Sequence, residues 1–115
     1  MNYTIEHREN IVVLKVKNET VEGKVSADLK AKVVIVAQPD IDALIFDLTD
    51  VKAMDSSGLG ALLLANRQLQ EHAIPCIVVG VQEFVKSLMK MTRIDEIFDF
   101  FDTVDEAVEA VNESK

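Results

Sequence analysis

At 115 residues, 49% hydrophobic and 28% charged, the chain has the size and make-up of one globular domain that can bury a core. A net charge of −8 with scattered Lys and Arg excludes the clustered basic surface that a nucleic-acid backbone requires. One cysteine, Cys76, excludes an internal disulfide and a multi-thiolate metal site, and no apolar run approaches the roughly 20 residues of a membrane span.

Met1 to Glu6 has no basic segment leading into an apolar one, so no secretory signal is expected and the cytoplasm is the default compartment. Tyr3-Thr4-Ile5 reads as a short edge strand, and the β-branched run Ile11 to Val16 as a second. Glu9-Asn10 between them suits a tight turn, so the two strands should pair antiparallel. Asn18 to Lys24 reads as a loop. Ser26 is the expected N-cap of a first helix carrying Val25, Leu29, Val33 and Val36 at helical spacing, stopped by Gln38-Pro39-Asp40. Ala43 to Leu48 is a third strand. Leu59, Leu62, Leu63 and Leu69 form the apolar stripe of a second helix, from Leu59 to about Gln70. Ile74 to Val81 is a fourth strand, uniformly apolar and hence central. Phe84, Val85, Leu88 and Met91 define a third helix, and Ile97 to Phe101 a short fifth strand. Thr103-Val104-Asp105-Glu106 is a capping box opening a last helix through Ala107, Val108 and Val111. An antiparallel hairpin followed by alternating helix and strand predicts an α/β domain with a mixed sheet of about five strands and about four helices, its later strands parallel and joined by right-handed crossovers.

The segment Asp47-Leu48-Thr49-Asp50-Val51-Lys52-Ala53-Met54-Asp55-Ser56-Ser57-Gly58-Leu59-Gly60 joins the third strand to the second helix and holds two of the chain's four glycines. It places hydroxyls at a helix mouth, where backbone N–H groups lack intrahelical partners and the dipole is positive, a favourable place for a phosphate. Ser57 reads as the N-cap, accepting from the N–H of Leu59 or Gly60, which leaves Ser56 just outside the helix with a free hydroxyl. Gly58 is expected to keep that backbone accessible, Gly60 to let the helix start close to the sheet, and Asp55 to add negative charge. Three functions fit these residues: turn chemistry alone, a nucleophilic serine, or a phosphoacceptor. The nucleophile needs a base and an orienting group. The two histidines, His7 and His72, fall elsewhere in the predicted topology, and the Gly-x-Ser-x-Gly elbow is missing. Asp47 at a strand end invites a further reading, a receiver-like phosphoacceptor domain. The acidic pair such a domain needs after its first strand is absent, and the hairpin start does not fit.

The run Asp47-Leu48-Thr49-Asp50-Val51 followed by Met54-Asp55-Ser56-Ser57-Gly58-Leu59-Gly60 resembles the signature of bacterial anti-sigma factor antagonists, single STAS domains of a group also appended to sulfate transporters. The similarity spans nearly the whole chain, and Val104-Asp105-Glu106-Ala107 resembles the family's last-helix start. The resemblance implies a single STAS-like domain over residues 1–115 that binds a protein partner and has no catalysis, cofactor or metal of its own. It implies that Ser56 is phosphorylated by a partner that is both anti-sigma factor and serine kinase, with a histidine-kinase-like ATPase fold, and that a serine phosphatase reverses the step. The unmodified chain would bind the anti-sigma factor and free the sigma factor. Asp55, Ser57, Gly58 and Leu59 would form the docking rim, with Thr20 and Glu22 contributed by the loop after the second strand. That loop departs from the family pattern Gly-Glu-Leu-Asp, then Thr-Ala. Here it reads Asn18-Glu19-Thr20-Val21-Glu22-Gly23-Lys24, then Ser26-Ala27. The departure keeps open an interaction scaffold in which Ser56 is never modified.

Overall fold

A computed structural model describes residues 1–115. Strand β1 (Tyr3–Arg8) turns at Glu9-Asn10 into β2 (Ile11–Val16), with Tyr3 opposite Val16 and Arg8 opposite Ile11. A two-residue strand β3 (Thr20–Val21) follows, then helix α1 (Gly23–Val36), β4 (Ala43–Asp47), a second two-residue strand β5 (Ala53–Met54) and α2 (Ser56–Gln70). The chain continues through β6 (Cys76–Val79), α3 (Glu83–Met91), a 3-10 turn (Ile94–Glu96), β7 (Asp99–Phe101) and α4 (Val104–Glu113). The main sheet runs β1-β2-β4-β6-β7, antiparallel at β1-β2 and parallel thereafter. This is the expected mixed sheet of five strands with four helices.

Alternation along the strands splits the core between the two faces. Val12, Leu14, Leu44, Phe46, Cys76 and Val78 belong to a cluster of 22 buried residues with α1, α2 and α3. Ile11, Val13, Ala43, Ile45, Ile77 and Val79 pack against Ala107 and Val111 of α4 in a cluster of eight. The central strands β4 and β6 are thus buried on both faces, which explains their unbroken apolar sequences. Cys76 is part of this packing. Burial pushes its thiol up to about 12, so it stays neutral and unreactive near neutral pH.

Boundaries differ from the sequence expectation where tertiary packing decides them. Helix α1 begins three residues before Ser26, with Glu22 at the N-cap and no side-chain cap bond. Ser26 falls on the same stripe as the buried Leu29 and Val33, so its hydroxyl points into the core, where it has no hydrogen-bond partner. Ser26→Ala removes an unsatisfied group and improves helix propensity. The expected result is unchanged or higher stability, by up to about 1 kcal/mol in denaturant unfolding. A clear loss would require a bond to that hydroxyl. Strand β6 is confined to Cys76–Val79, since Pro75 precedes it and Gly80 turns the chain at φ +67°. β7 begins at Asp99, two residues after Ile97, because Ile94–Glu96 winds into the 3-10 turn and Phe98 is buried. At α4, Thr103 caps as expected, its hydroxyl oxygen accepting from the Glu106 N–H at 3.2 Å.

Candidate functional site

The serine segment leaves the carboxyl end of β4 through a turn built by Asp47. Its Oδ1 accepts from the Thr49 N–H at 3.0 Å and from the Thr49 hydroxyl at 2.5 Å. This carboxylate is 9% exposed and committed to its own turn, which leaves a receiver-like reading without an accessible acceptor. Thr49 is held from two further sides. The Gln82 side-chain amide donates to its carbonyl at 2.7 Å. Gly80 sits so close that an added Cβ would stand 2.3 Å from Thr49 Oγ1 and 3.1 Å from its Cα.

The chain then forms β5, which pairs in parallel with β3, Thr20 against Ala53 and Val21 against Met54. Neither short strand was expected from the sequence, because two residues carry no periodicity. The Asp55 N–H donates to the Val21 carbonyl at 3.2 Å, and the N–H groups of Lys52 and Ala53 donate to the Glu19 carbonyl at 2.7 and 3.1 Å. The loop after β2 is therefore hydrogen-bonded to the serine segment along its length. Thr20 and Glu22 are both exposed beside it.

The cap of α2 is Asp55, where the sequence pointed to Ser57. The Asp55 Oδ1 accepts from the N–H of Ser57 at 2.9 Å, the N–H of Gly58 at 3.3 Å and the Ser57 hydroxyl at 2.5 Å. Aspartate outcompetes serine here because its charged oxygen accepts three donors at a positive helix end. Ser57 thus donates its hydroxyl instead of capping, and the helix starts at Ser56. The Ser57 hydroxyl, more than the two amides, holds the Asp55 carboxyl below its usual range against the opposing effect of burial. A depressed native value means the cap stabilises above the ordinary carboxylate range and is lost as pH falls through that native value. Asp55→Ala is therefore expected to lower the thermal midpoint at pH 7, with a deficit that shrinks as the medium is acidified. A deficit equal at pH 7 and at pH 2 would show that the charged cap is not its cause.

Ser56 is exposed, and its hydroxyl makes no hydrogen bond. The free hydroxyl and the bonded one are therefore adjacent and chemically distinct. Of the other expected rim residues, Asp55 is exposed and Ser57 half-buried, whereas Gly58 and Leu59 are buried. Leu59 is 3% exposed and belongs to the core, so its side chain is not offered to a partner. Gly58 has a different role from the expected one. A Cβ there would stand 2.6 Å from Met54 Cγ and 3.1 Å from Val21 Cγ1, so glycine lets α2 rest directly on the β3-β5 ribbon. Gly60 faces α1 instead of the sheet, with an added Cβ only in ordinary contact with Lys30, 3.7 Å from its Cε. Met54 is buried beneath this junction. Phe84 and Met91 on α3 are exposed at 60% and 82%, while Met89 between them is buried.

A family model for the STAS domain matches residues 2–107. The chain belongs to the STAS domain family. Solved structures share this STAS fold. An anti-sigma factor antagonist from Mycobacterium paratuberculosis is 22% identical with a TM-score of 0.85, covering 96% of this chain and 93% of that one. The anti-sigma factor antagonist SpoIIAA in its unphosphorylated form is 20% identical with a TM-score of 0.77, over 96% of this chain and 98% of that one. The Bacillus cell fate determinant SpoIIAA in its phosphorylated form is 20% identical with a TM-score of 0.75, over 96% and 99%. No helix of this STAS domain is long and apolar enough to cross a membrane.

Proposed function

We propose that this STAS domain is an anti-sigma factor antagonist, a cytoplasmic binding module whose hold on its partner is set by phosphorylation of Ser56. The observation that carries the reading is the pair of hydroxyls at the α2 mouth, Ser56 exposed and unbonded, Ser57 tied to Asp55 at 2.5 Å. A kinase needs a hydroxyl that can leave the surface and enter its active site, and of these two only Ser56 is free to do so. In the transfer, Ser56 Oγ attacks the γ-phosphorus of ATP, its proton passes to a base of the kinase, and ADP leaves. The chain contributes the acceptor and no catalysis. No side chain is hydrogen-bonded to Ser56 as a general base would be. The kinship of the fold to SpoIIAA, solved in both unphosphorylated and phosphorylated forms, supports the same reading. An anti-sigma factor with serine-kinase activity is the partner this role requires, with a serine phosphatase to reset it. Asp55, Thr20 and Glu22 form the exposed rim around the acceptor.

The test is intact-mass measurement after incubation with ATP and candidate anti-sigma kinases. The expected result is one added phosphate on the natural chain and on Ser57→Ala, and none on Ser56→Ala. An unmodified natural chain that still binds the kinase would favour the scaffold reading. Modification that persists in Ser56→Ala would move the acceptor elsewhere.

A further inference from the structure

The two edges of the main sheet are treated very differently. On one side, β7 is three residues long and begins with the exposed Asp99, features that blunt an edge. On the other, β1 runs six residues without proline and without a break in its register against β2. The Lys17 N–H donates to the Asn2 carbonyl at 2.8 Å, which makes Asn2 and Lys17 a hydrogen-bonded pair and fixes the alternation along the hairpin. Asn2, Thr4, Glu6 and Arg8 therefore direct their backbone groups at β2. Tyr3, Ile5 and His7 direct theirs outward, where no element of the chain lies. The charged Glu6 and Arg8 bond to each other on the sheet face and do not guard the open edge.

The same three outward residues stand opposite Val16, Leu14 and Val12, on the face covered by α1. Between β1 and α1 lie two depressions of about 250 and 430 Å³, and Ile35 lines both of them. Ile35 thus sits over the middle of β1, and it is 62% exposed; Tyr3 is 38% exposed. An open ladder and an uncovered apolar side chain coincide on one margin of the molecule.

We propose that this margin is a self-association surface, with β1 of two copies pairing antiparallel about a two-fold axis at Ile5 to form a continuous sheet. Outward-facing residues must pair with outward-facing residues, which leaves few registers. Centring on Glu6 would set two Glu6 carboxylates directly opposite, and centring on His7 would leave only a short overlap. Centring on Ile5 pairs Tyr3 with His7, Thr4 with Glu6 and Asn2 with Arg8 across the axis, the longest ladder without opposed like charges. It also brings the two Ile35 side chains toward each other over the axis. The surface is independent of Ser56, and each copy keeps its serine segment free. One strand edge and one side chain per copy make a small contact, so weak association that shows only over a concentration series is expected.

Sedimentation equilibrium over a concentration series tests this on the full chain. The apparent mass is expected to rise from 12.8 kDa toward twice that value. Thr4→Glu sets a new carboxylate against Glu6 of the other copy, and should weaken association at least tenfold. Adding Glu6→Lys to it should restore association, because each copy then offers opposite charges at the paired positions. Ile35→Lys should weaken association, and at a concentration where the chain is monomeric it should leave the thermal midpoint unchanged, since the side chain is already exposed and a cation suits the last turn of α1. A monomer at every concentration overturns the proposal. A dimer indifferent to Thr4→Glu and to the charge reversal overturns the β1 register.

Discussion

Phosphorylated on Ser56, the chain is expected to bind its partner about a hundredfold more weakly than the unmodified chain, a difference of about 2.7 kcal/mol. The physical ground is that the α2 mouth already has its anion. Asp55 takes the Ser57 and Gly58 amides and the Ser57 hydroxyl, so these donors are not left for a phosphate as they are at other helix ends. A new group carrying about −1.5 to −2 charges must then stand next to a carboxylate held in its ionised form. It stays outward, and a contact surface shaped around a neutral hydroxyl has to bury it unpaired. No refolding is needed. Titration calorimetry with the cognate kinase, before and after modification, measures the ratio. Equal affinities would remove charge as the switch, and so would a Ser56→Ala variant that loses binding as completely as the phosphorylated form.

Gly80→Ala is expected to destabilise the fold by about 3 kcal/mol, lowering the thermal midpoint by on the order of 10–20 °C. Two independent costs combine. The φ of +67° is unfavourable for any residue with a Cβ. The added carbon also meets Thr49 Oγ1 at 2.3 Å and Thr49 Cα at 3.1 Å. The hydroxyl cannot rotate aside without breaking its 2.5 Å bond to Asp47, and the Cα is backbone. A Thr49→Ala background separates the costs by removing the hydroxyl clash while leaving the dihedral strain. Partial recovery is expected there. No recovery would assign the effect to φ together with the 3.1 Å approach to the residue 49 Cα, which alanine keeps, and a loss near zero in the natural background would contradict the close approach.

The strand-helix alternation and the interior position of β6 were legible because each rests on a run of four or more periodic or unbroken apolar residues, and the hairpin because a turn pair, Glu9-Asn10, precedes the β-branched run Ile11 to Val16. What escaped was short or degenerate. Thr20–Val21 and Ala53–Met54 are strands only because they pair with each other across more than thirty positions, and no local pattern announces such a pairing. At the α2 mouth, Asp55, Ser56 and Ser57 are all good caps, and spacing alone cannot rank them. Burial does: Gly58 must fit against Met54 and Val21, which sets the phase of the first turn and hands the cap to Asp55. An aspartate followed three residues later by glycine was the available signal. Ser26 misled for the converse reason, as a cap-type residue placed on an inward stripe. The acceptor candidate Ser56 was legible, whereas the inaccessibility of Leu59 was not, because a leucine one turn into a helix looks the same from sequence whether it faces a partner or the core.

The 3.2 Å bond from the Asp55 N–H to the Val21 carbonyl fastens the loop after β2 to the serine segment. Backbone-to-backbone attachment is blind to side-chain identity, so the outward positions Glu19, Thr20 and Glu22 can be rewritten while the geometry they support is preserved. Such a lineage can acquire new interlocutors by editing one side of a seam and keep its chemistry intact on the other.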